Sequence, residues 1–128
     1  MNILLLDDNL HRITFFQNSL KKHSLVVCRH TKVAIKALQK GSFDLVFLDH
    51  DLEGEPADPE DANCGSEVAR FIAEHQIRCG RIILHTENRA GRESMEVILG
   101  ACESIPNSKL KQVNFHSLLK PLSKANQS

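Results

Sequence analysis

Two short apolar runs that end in acidic residues constrain the fold of this 128-residue chain more than any other feature. Residues 3–6 lead directly into Asp7-Asp8, and residues 45–48 lead into Asp49-His50-Asp51. A short, unbroken apolar run closed by charge is typical of a strand that is buried on both faces of a parallel sheet. Ligands of such sheets bind beyond the carboxyl ends of the strands, where the winding direction changes. We therefore expect both acidic groups at one binding edge.

Several carboxylates in one crevice repel each other unless protons or a cation lie between them. The pattern therefore predicts a divalent-metal site with Asp7, Asp8, Asp49 and Asp51 as ligands, suited to binding a phosphoryl group. Mg²⁺ is the expected ion for oxygen ligands, and a nearby imidazole would also admit Mn²⁺ or another divalent ion. The alternative is that these acids only begin turns or cap helices.

Apolar runs and helical patterns alternate along the whole chain. This βα order predicts a single domain, residues 1–128, built on a doubly wound five-stranded parallel sheet with strand order 2-1-3-4-5. We expect the polar residues 122–128 to be too short for a complete closing helix, so that the last helix is truncated or absent. The predicted strands are 3–6, 25–28, 45–48, 81–84 and a weaker 113–119, and the predicted helices begin near Asn9, Thr31, Ser66 and Arg92, the last one ending near Glu103.

Composition narrows the classes of partner. Sixteen basic residues balance sixteen acidic ones, so no overall field favours nucleic acid. No apolar stretch is long enough to span a bilayer, and the N-terminus begins as a strand rather than as a signal peptide. The four cysteines are scattered, which is typical of reduced thiols in a cytosolic protein. We expect a cytoplasmic domain that binds neither membranes nor nucleic acid directly.

The residues at the predicted strand ends resemble the receiver domains of two-component response regulators. Asp-Asp, Asp, Thr and Lys-Pro follow successive strands, as they do in that family. The resemblance implies a Mg²⁺ pocket made by Asp7, Asp8 and Asp49, with Asp49 phosphorylated by a partner histidine kinase. It also implies that Thr86 is the switch hydroxyl and that Lys120 contacts the phosphoryl group.

Two longer runs resemble a narrower group, the cyclic-phosphate-processing receiver-like domains. One is Leu-Asp-His-Asp-Leu at residues 48–52, and the other is His-Thr-x-Asn-x-x-Gly-Arg-x-x-Met at residues 85–95. This resemblance implies that the ligand is a cyclic phosphate or cyclic nucleotide, and that Asn88 and Arg92 help to bind its phosphate. An i,i+4 ion pair with Glu96 is the alternative role for Arg92.

Two functions follow from these patterns. The first is a metal-dependent phosphoesterase in which Asp49 holds the metal and His50 or His85 transfers protons to the leaving ribose oxygen. His50 is the preferred proton donor because it lies between two acids. The second is a stand-alone receiver that accepts a phosphoryl group on Asp49. We expect the acidic loop 53–65 to be a solvated flap in either case.

Overall fold

The computed structural model of the protein describes residues 1–120, which form a parallel β-sheet with helices packed on both faces. In chain order the elements are β1 Asn2–Leu6, α1 Leu10–Ser19, β2 Ser24–Cys28, α2 Thr31–Lys40, β3 Phe43–Leu48, α3 Gly65–Glu74, β4 Cys79–Leu84, α4 Arg89–Leu99, β5 Glu103–Ser104, a 3₁₀ helix Asn107–Gln112 and α5 Phe115–Leu118. All strand pairs are parallel and the order is β2-β1-β3-β4-β5. This confirms the predicted doubly wound sheet, in which β1 and β3 are adjacent where the winding direction changes.

The side chains of the central strands alternate between two buried layers, because successive residues of a strand point to opposite faces. Leu4 and Leu6 of β1 pack in the layer that includes residues of α2 and α3. Ile3 and Leu5 pack in the other layer, with residues of α1 and α5. The same alternation continues past the ends of the strands, so it decides on which face each functional side chain lies.

The predicted fifth strand at residues 113–119 is wrong. The fifth strand is Glu103–Ser104, which pairs only with β4 and lies at the edge of the sheet. Residues 115–118 instead form α5, capped by the Asn114 side chain, which accepts the N–H of Ser117. The apolar residues Phe115, Leu118 and Leu119 lie at i, i+3 and i+4, which is helical spacing. The true strand has no apolar run because it is exposed and only two residues long.

The fourth helix begins and ends earlier in the chain than the predicted helix from near Arg92 to near Glu103. Helix α4 begins at Arg89, after the capping side chain of Asn88, and ends at Leu99. Gly100 follows with φ +75°, a left-handed conformation that favours glycine and ends the helix. The helix that follows β1 was placed correctly: the Asn9 side chain accepts the N–H of Arg12 and so caps α1.

Within residues 1–120, α5 is a single turn, and it lies where the fifth strand was predicted. The expectation for residues 122–128 lies outside the described residues. None of the helices in residues 1–120 has the length and apolar character that a membrane span requires.

Phe16 is the centre of an aromatic cluster that joins α1 to the sheet. Its ring centroid lies 4.9 Å from that of Phe47 and 5.3 Å from that of His85, and the side chain is fully buried. We expect Phe16→Ala to lower the free energy of unfolding by about 3–5 kcal/mol, because the surrounding rings cannot collapse into the cavity. Urea unfolding measures this change. Leu10→Ala, which truncates a side chain 64% exposed on the same helix, is the control and should cost far less.

Candidate functional site

Asp7, Asp49 and His85 are the residues that directly follow β1, β3 and β4. The N–H of Asp49 donates to the carbonyl of Leu6, and that of His85 donates to the carbonyl of Leu48, so the sheet ladder continues past the strand ends. All three side chains therefore lie on the α1 face of the sheet. They are at most 2% exposed. Their ligand atoms lie within 4.8 Å of one another.

Arg12 neutralises both carboxylates of this group. Its Nε donates to Asp7 Oδ2 at 2.8 Å, and its second terminal nitrogen donates to Asp7 Oδ1 at 3.0 Å and to Asp49 Oδ2 at 3.1 Å. Arg12 was not among the predicted site residues. A signal was available, because a cation in the first turn of a helix opposes the helix dipole and needs a compensating contact. Arg12 follows the predicted helix start at Asn9 by three residues, so this signal was present in the sequence.

The pKa values of Asp7 and Asp49 differ because the surroundings of the two carboxyl groups differ. Burial by itself raises the pKa of Asp7, but hydrogen bonds from His85 and Arg12 outweigh burial and lower that pKa to about 2. Burial raises the pKa of Asp49 from 3.8 to about 6, and the charge of Asp7 adds to this rise while His85 and Arg12 oppose it. Asp7 is therefore the permanent anion of the pair.

This group fits a divalent ion. Two carboxylate oxygens and one imidazole nitrogen lie close enough together to bind one ion, and such a mixed set suits Mn²⁺ and other transition ions as well as Mg²⁺. The Nδ1 atom of His85 is buried and has no hydrogen-bond partner within residues 1–120, which is consistent with a site that binds a further group. The protein ligands would be Asp7, Asp49 and His85. Asp8 and Asp51, two of the four predicted ligands, are not members of this group among the described residues.

His50 lies on the opposite face of the sheet from Asp49, as alternation requires. Its ring is fully buried; Nδ1 lies 3.0 Å from Asp51 Oδ1 and Nε2 lies 3.0 Å from Ser66 Oγ. Burial lowers the pKa of His50, but the side chains of Cys64 and Asp51 outweigh burial and raise it. His50 therefore contacts protein groups with both nitrogens, and Asp51 is its connection to the solvent side.

Asp51 fixes the acidic loop to the site. Its Oδ1 atom accepts the N–H of Ala57 at 2.9 Å and the side-chain amide of Asn88 at 2.9 Å. Burial raises the pKa of Asp51, but these hydrogen bonds and that of His50 outweigh burial and lower it. An isolated antiparallel bridge between Asp51 and Cys64 closes the base of the loop. Asn88 therefore connects Asp51 to α4, since its Oδ1 also accepts the N–H of Gly91 and caps that helix.

An open cleft of about 620 Å³ lies beside the acidic group. Its lining includes Arg12, Asp49 and Asp51. Arg29 also lines the cleft, and its guanidinium donates to the carbonyl of Asp8 at 3.2 Å. The complete lining is Asp8, Asn9, Leu10, His11, Arg12, Arg29, Asp49, Asp51, Gly54, Glu55 and Pro56. The loop after β3 therefore forms one wall of the cleft.

Three residues predicted to bind phosphate lie elsewhere. Thr86 is buried, and its Oγ1 accepts the N–H of Asn88 at 3.0 Å rather than lining the cleft. Arg92 Nε lies 3.8 Å from Glu96 Oε1, which is the i,i+4 ion pair expected as the alternative role of Arg92. Lys120 does not end a strand: it follows α5 and lines a depression together with Lys21 and Lys22, which precede β2. That depression is at the amino-terminal edge of the sheet, opposite the acidic group.

Comparison with known families identifies the chain. A family model described as the cyclic-phosphate processing receiver domain matches residues 2–101. The chain belongs to this family. The matched residues include Asp7, Arg12, Asp49 and His85, as well as His50 with its partners Asp51 and Ser66. The match also covers α4, and it ends before β5. No curated protein sequence matches significantly.

Solved structures with the same fold are receiver domains. Vibrio cholerae chemotaxis protein CheY4 is 20% identical over 96% of each chain, with a TM-score of 0.65. The receiver domain of the Pseudomonas aeruginosa sensor histidine kinase PA1611, with a magnesium ion in its active-site cleft, is 18% identical over 99% of this chain and 98% of that one, with a TM-score of 0.67. The Mn²⁺-bound response regulator Rcp1 is 21% identical over 86% and 84%, with a TM-score of 0.61. At these identities the similarity establishes the receiver fold.

Gly91 allows the His50 ring to lie against α4. A Cβ atom at this position would be 2.3 Å from Cγ of His50. Inside a helix, glycine to alanine normally stabilises by about 1 kcal/mol, but here the contact reverses the sign. We expect Gly91→Ala to lower the free energy of unfolding by about 1–3 kcal/mol, measured by urea unfolding. Gly41→Ala is the matched control, because the nearest atoms to its Cβ would be 3.7 Å away; an equal effect at both positions would contradict this account.

Stability should depend on pH through Asp49. With a folded pKa of about 6 against an ordinary 3.8, Asp49 keeps its proton in the folded state between about pH 4 and 6, whereas the unfolded chain releases it. Unfolding then releases a proton, so this contribution to stability falls as pH rises through that window, by at most about 3 kcal/mol.

Urea unfolding in chelator-treated buffer at several pH values tests this expectation. Asp49→Asn has no proton to release and should lose that part of the pH dependence. Asp44→Asn, which removes an exposed carboxylate from the same strand, should retain the wild-type slope. Identical slopes for wild type and Asp49→Asn would show that Asp49 titrates normally.

Proposed function

We propose that this domain binds a cyclic phosphate in the cleft and opens it by hydrolysis with a divalent ion held by Asp7, Asp49 and His85. The alternative is a stand-alone receiver that accepts a phosphoryl group on Asp49 from a partner histidine kinase. Both functions require Asp7 and Asp49, and they differ in the residues that must surround these two carboxylates.

The observation that carries the proposal is the His85 imidazole, buried 3.0 Å from Asp7 at the end of β4. A phosphoryl-accepting receiver, as the sequence resemblance describes it, uses a hydroxyl and a lysine at this edge. Here Thr86 bonds to the backbone of Asn88 and Lys120 lies at the other edge of the sheet. The family match and the metal-bound structures of PA1611 and Rcp1 support a metal-dependent phosphate chemistry of the same pocket.

The proposed reaction is attack of water on the phosphorus of the cyclic ester. A new P–O bond forms with the water oxygen while the P–O bond to the ribose oxygen breaks. The water loses one proton, and the ribose oxygen gains one, so the products are a phosphomonoester and a hydroxyl group. A bound divalent ion would polarise the phosphoryl oxygens and lower the pKa of a coordinated water.

The protein residues would divide the remaining tasks. Asp51 reaches the cleft and is oriented by His50, Asn88 and the Ala57 N–H, which place it to accept a hydrogen bond from the attacking water or the ligand. His50 would then act through Asp51 as a positioning residue rather than by touching the ligand. Arg29 lies at the side of the cleft, where a cation balances charge on a bound phosphate.

The test is to incubate the protein with Mg²⁺ or Mn²⁺ and a panel of 2′,3′- and 3′,5′-cyclic nucleotides, and in parallel with acetyl phosphate. We expect turnover of at least one cyclic phosphate. His85→Ala should reduce its rate about a hundredfold or more, because a ligand of the proposed ion is lost. His75→Ala is the matched control: this histidine stacks on Phe71 at the end of α3 and should leave the rate unchanged.

The opposite pattern would establish the alternative function. It consists of stable acetyl-phosphate labelling that depends on Asp49, persists in His85→Ala, and is accompanied by no turnover of any cyclic phosphate. His50→Ala separates the role of that residue further, since a positioning role predicts a smaller loss of rate than Asp51→Ala.

A further inference from the structure

Arg12 occupies the side of the acidic group that faces the cleft. Its guanidinium contacts three carboxylate oxygens of Asp7 and Asp49, yet its side chain is 29% exposed while those of the two acids are at most 3% exposed. It is therefore the layer between the buried anions and the open space of the cleft.

The position of Arg12 in α1 gives no electrostatic reason for a positive charge there. It lies in the first turn of α1, where a positive charge opposes the helix dipole. The two carboxylates offset this cost, and the helix itself is capped by Asn9. The contact with the acids is thus what Arg12 contributes in this state of the protein.

A divalent ion and the guanidinium require the same oxygens. An ion bound by Asp7, Asp49 and His85 at the usual distance of about 2.0–2.2 Å would lie close to a guanidinium that is only 2.8–3.1 Å from the same carboxylates. Two cations at such a separation repel strongly in a buried site. Because Arg12 is partly exposed, it can leave by rotating its side chain into the cleft, without any change in the buried layer of Phe16 and Phe47.

We propose that Arg12 exchanges partners: it neutralises Asp7 and Asp49 in the metal-free site and becomes a phosphate-binding group in the cleft when a divalent ion binds. A guanidinium presents paired N–H donors that match two phosphate oxygens. A phosphate that binds Arg12 withdraws it from the acids and so favours the ion, and the ion releases Arg12 for the phosphate. Metal and phosphate therefore bind with positive, reciprocal coupling. The inference rests on the proposed metal site.

Isothermal titration with Mn²⁺, with and without inorganic phosphate, measures this coupling directly; titrations into protein-free buffer correct for the binding of Mn²⁺ to phosphate. In the wild-type protein, phosphate should tighten Mn²⁺ binding about tenfold. In Arg12→Gln, Mn²⁺ should bind about tenfold more tightly than to wild type in the absence of phosphate, because the competing cation is gone, and phosphate should change that affinity less than it does in wild type.

Two further variants make the result specific. Arg89→Gln removes an arginine outside the lining of the cleft, an 83% exposed side chain that pairs with Glu93 on α4, so its Mn²⁺ affinity and its coupling to phosphate should equal those of wild type. Arg12→Lys keeps the charge near the acids and so protects folding, but it lacks the paired donors; its coupling to phosphate should be weaker than in wild type.

The outcomes separate this inference from the proposed function. Equal Mn²⁺ affinity in wild type and Arg12→Gln, with equal coupling to phosphate, would overturn the exchange and leave the metal site intact. If neither protein bound Mn²⁺, both the metal site and the exchange would be excluded. If Arg12→Gln did not fold, unchanged coupling in Arg12→Lys would overturn the exchange.

Discussion

The architecture of the site depends on the electrostatic cost of two carboxylates buried side by side. Parallel strands β1 and β3 are neighbours in the sheet. Their pairing alone brings together the residues that follow them, Asp7 and Asp49. Both are almost completely buried. Two such anions are tolerated only with protons or cations beside them. The positions of Arg12 and His85, and the separation of the two pKa values, follow from that requirement.

Alternation across the sheet separates residues that are adjacent in the sequence. His85 and Thr86 are neighbours, as are Asp49 and His50, but each pair is divided between the two faces. His85 and Asp49 belong to the face of α1, where the acidic group lies. His50 packs toward α3 and α4, against Ser66 and Gly91. Each of the two sequence motifs that contain these pairs therefore contributes one residue to the acidic group and one residue to the opposite face of the sheet.

The sequence was sufficient to predict the sheet order and the meeting of Asp7 with Asp49, because both follow from buried apolar runs whose ends must share an edge. The fifth strand was not predictable in the same way. Glu103–Ser104 has two exposed residues, and its pairing is determined by the neighbouring β4 rather than by its own hydrophobicity. Lys120 was misplaced with it, since a Lys-Pro pair was taken to end a strand. Arg12 was missed although it lies in a predicted first helical turn and Asp7 is only five residues away; its contact with Asp49, 37 residues away, becomes visible only in the folded chain.

The antiparallel bridge between Asp51 and Cys64 has an evolutionary consequence. It holds the two ends of the acidic loop together beside the cleft. The entropic cost of closing a loop grows only slowly with its length. The exposed segment around Gly54 and Glu55 can accordingly change in length or charge with little effect on the sheet, whereas Ala57 is fixed by hydrogen bonds with Asp51 and Asn88. The wall of the cleft can diversify for new ligands while the buried acids and their cations remain in place.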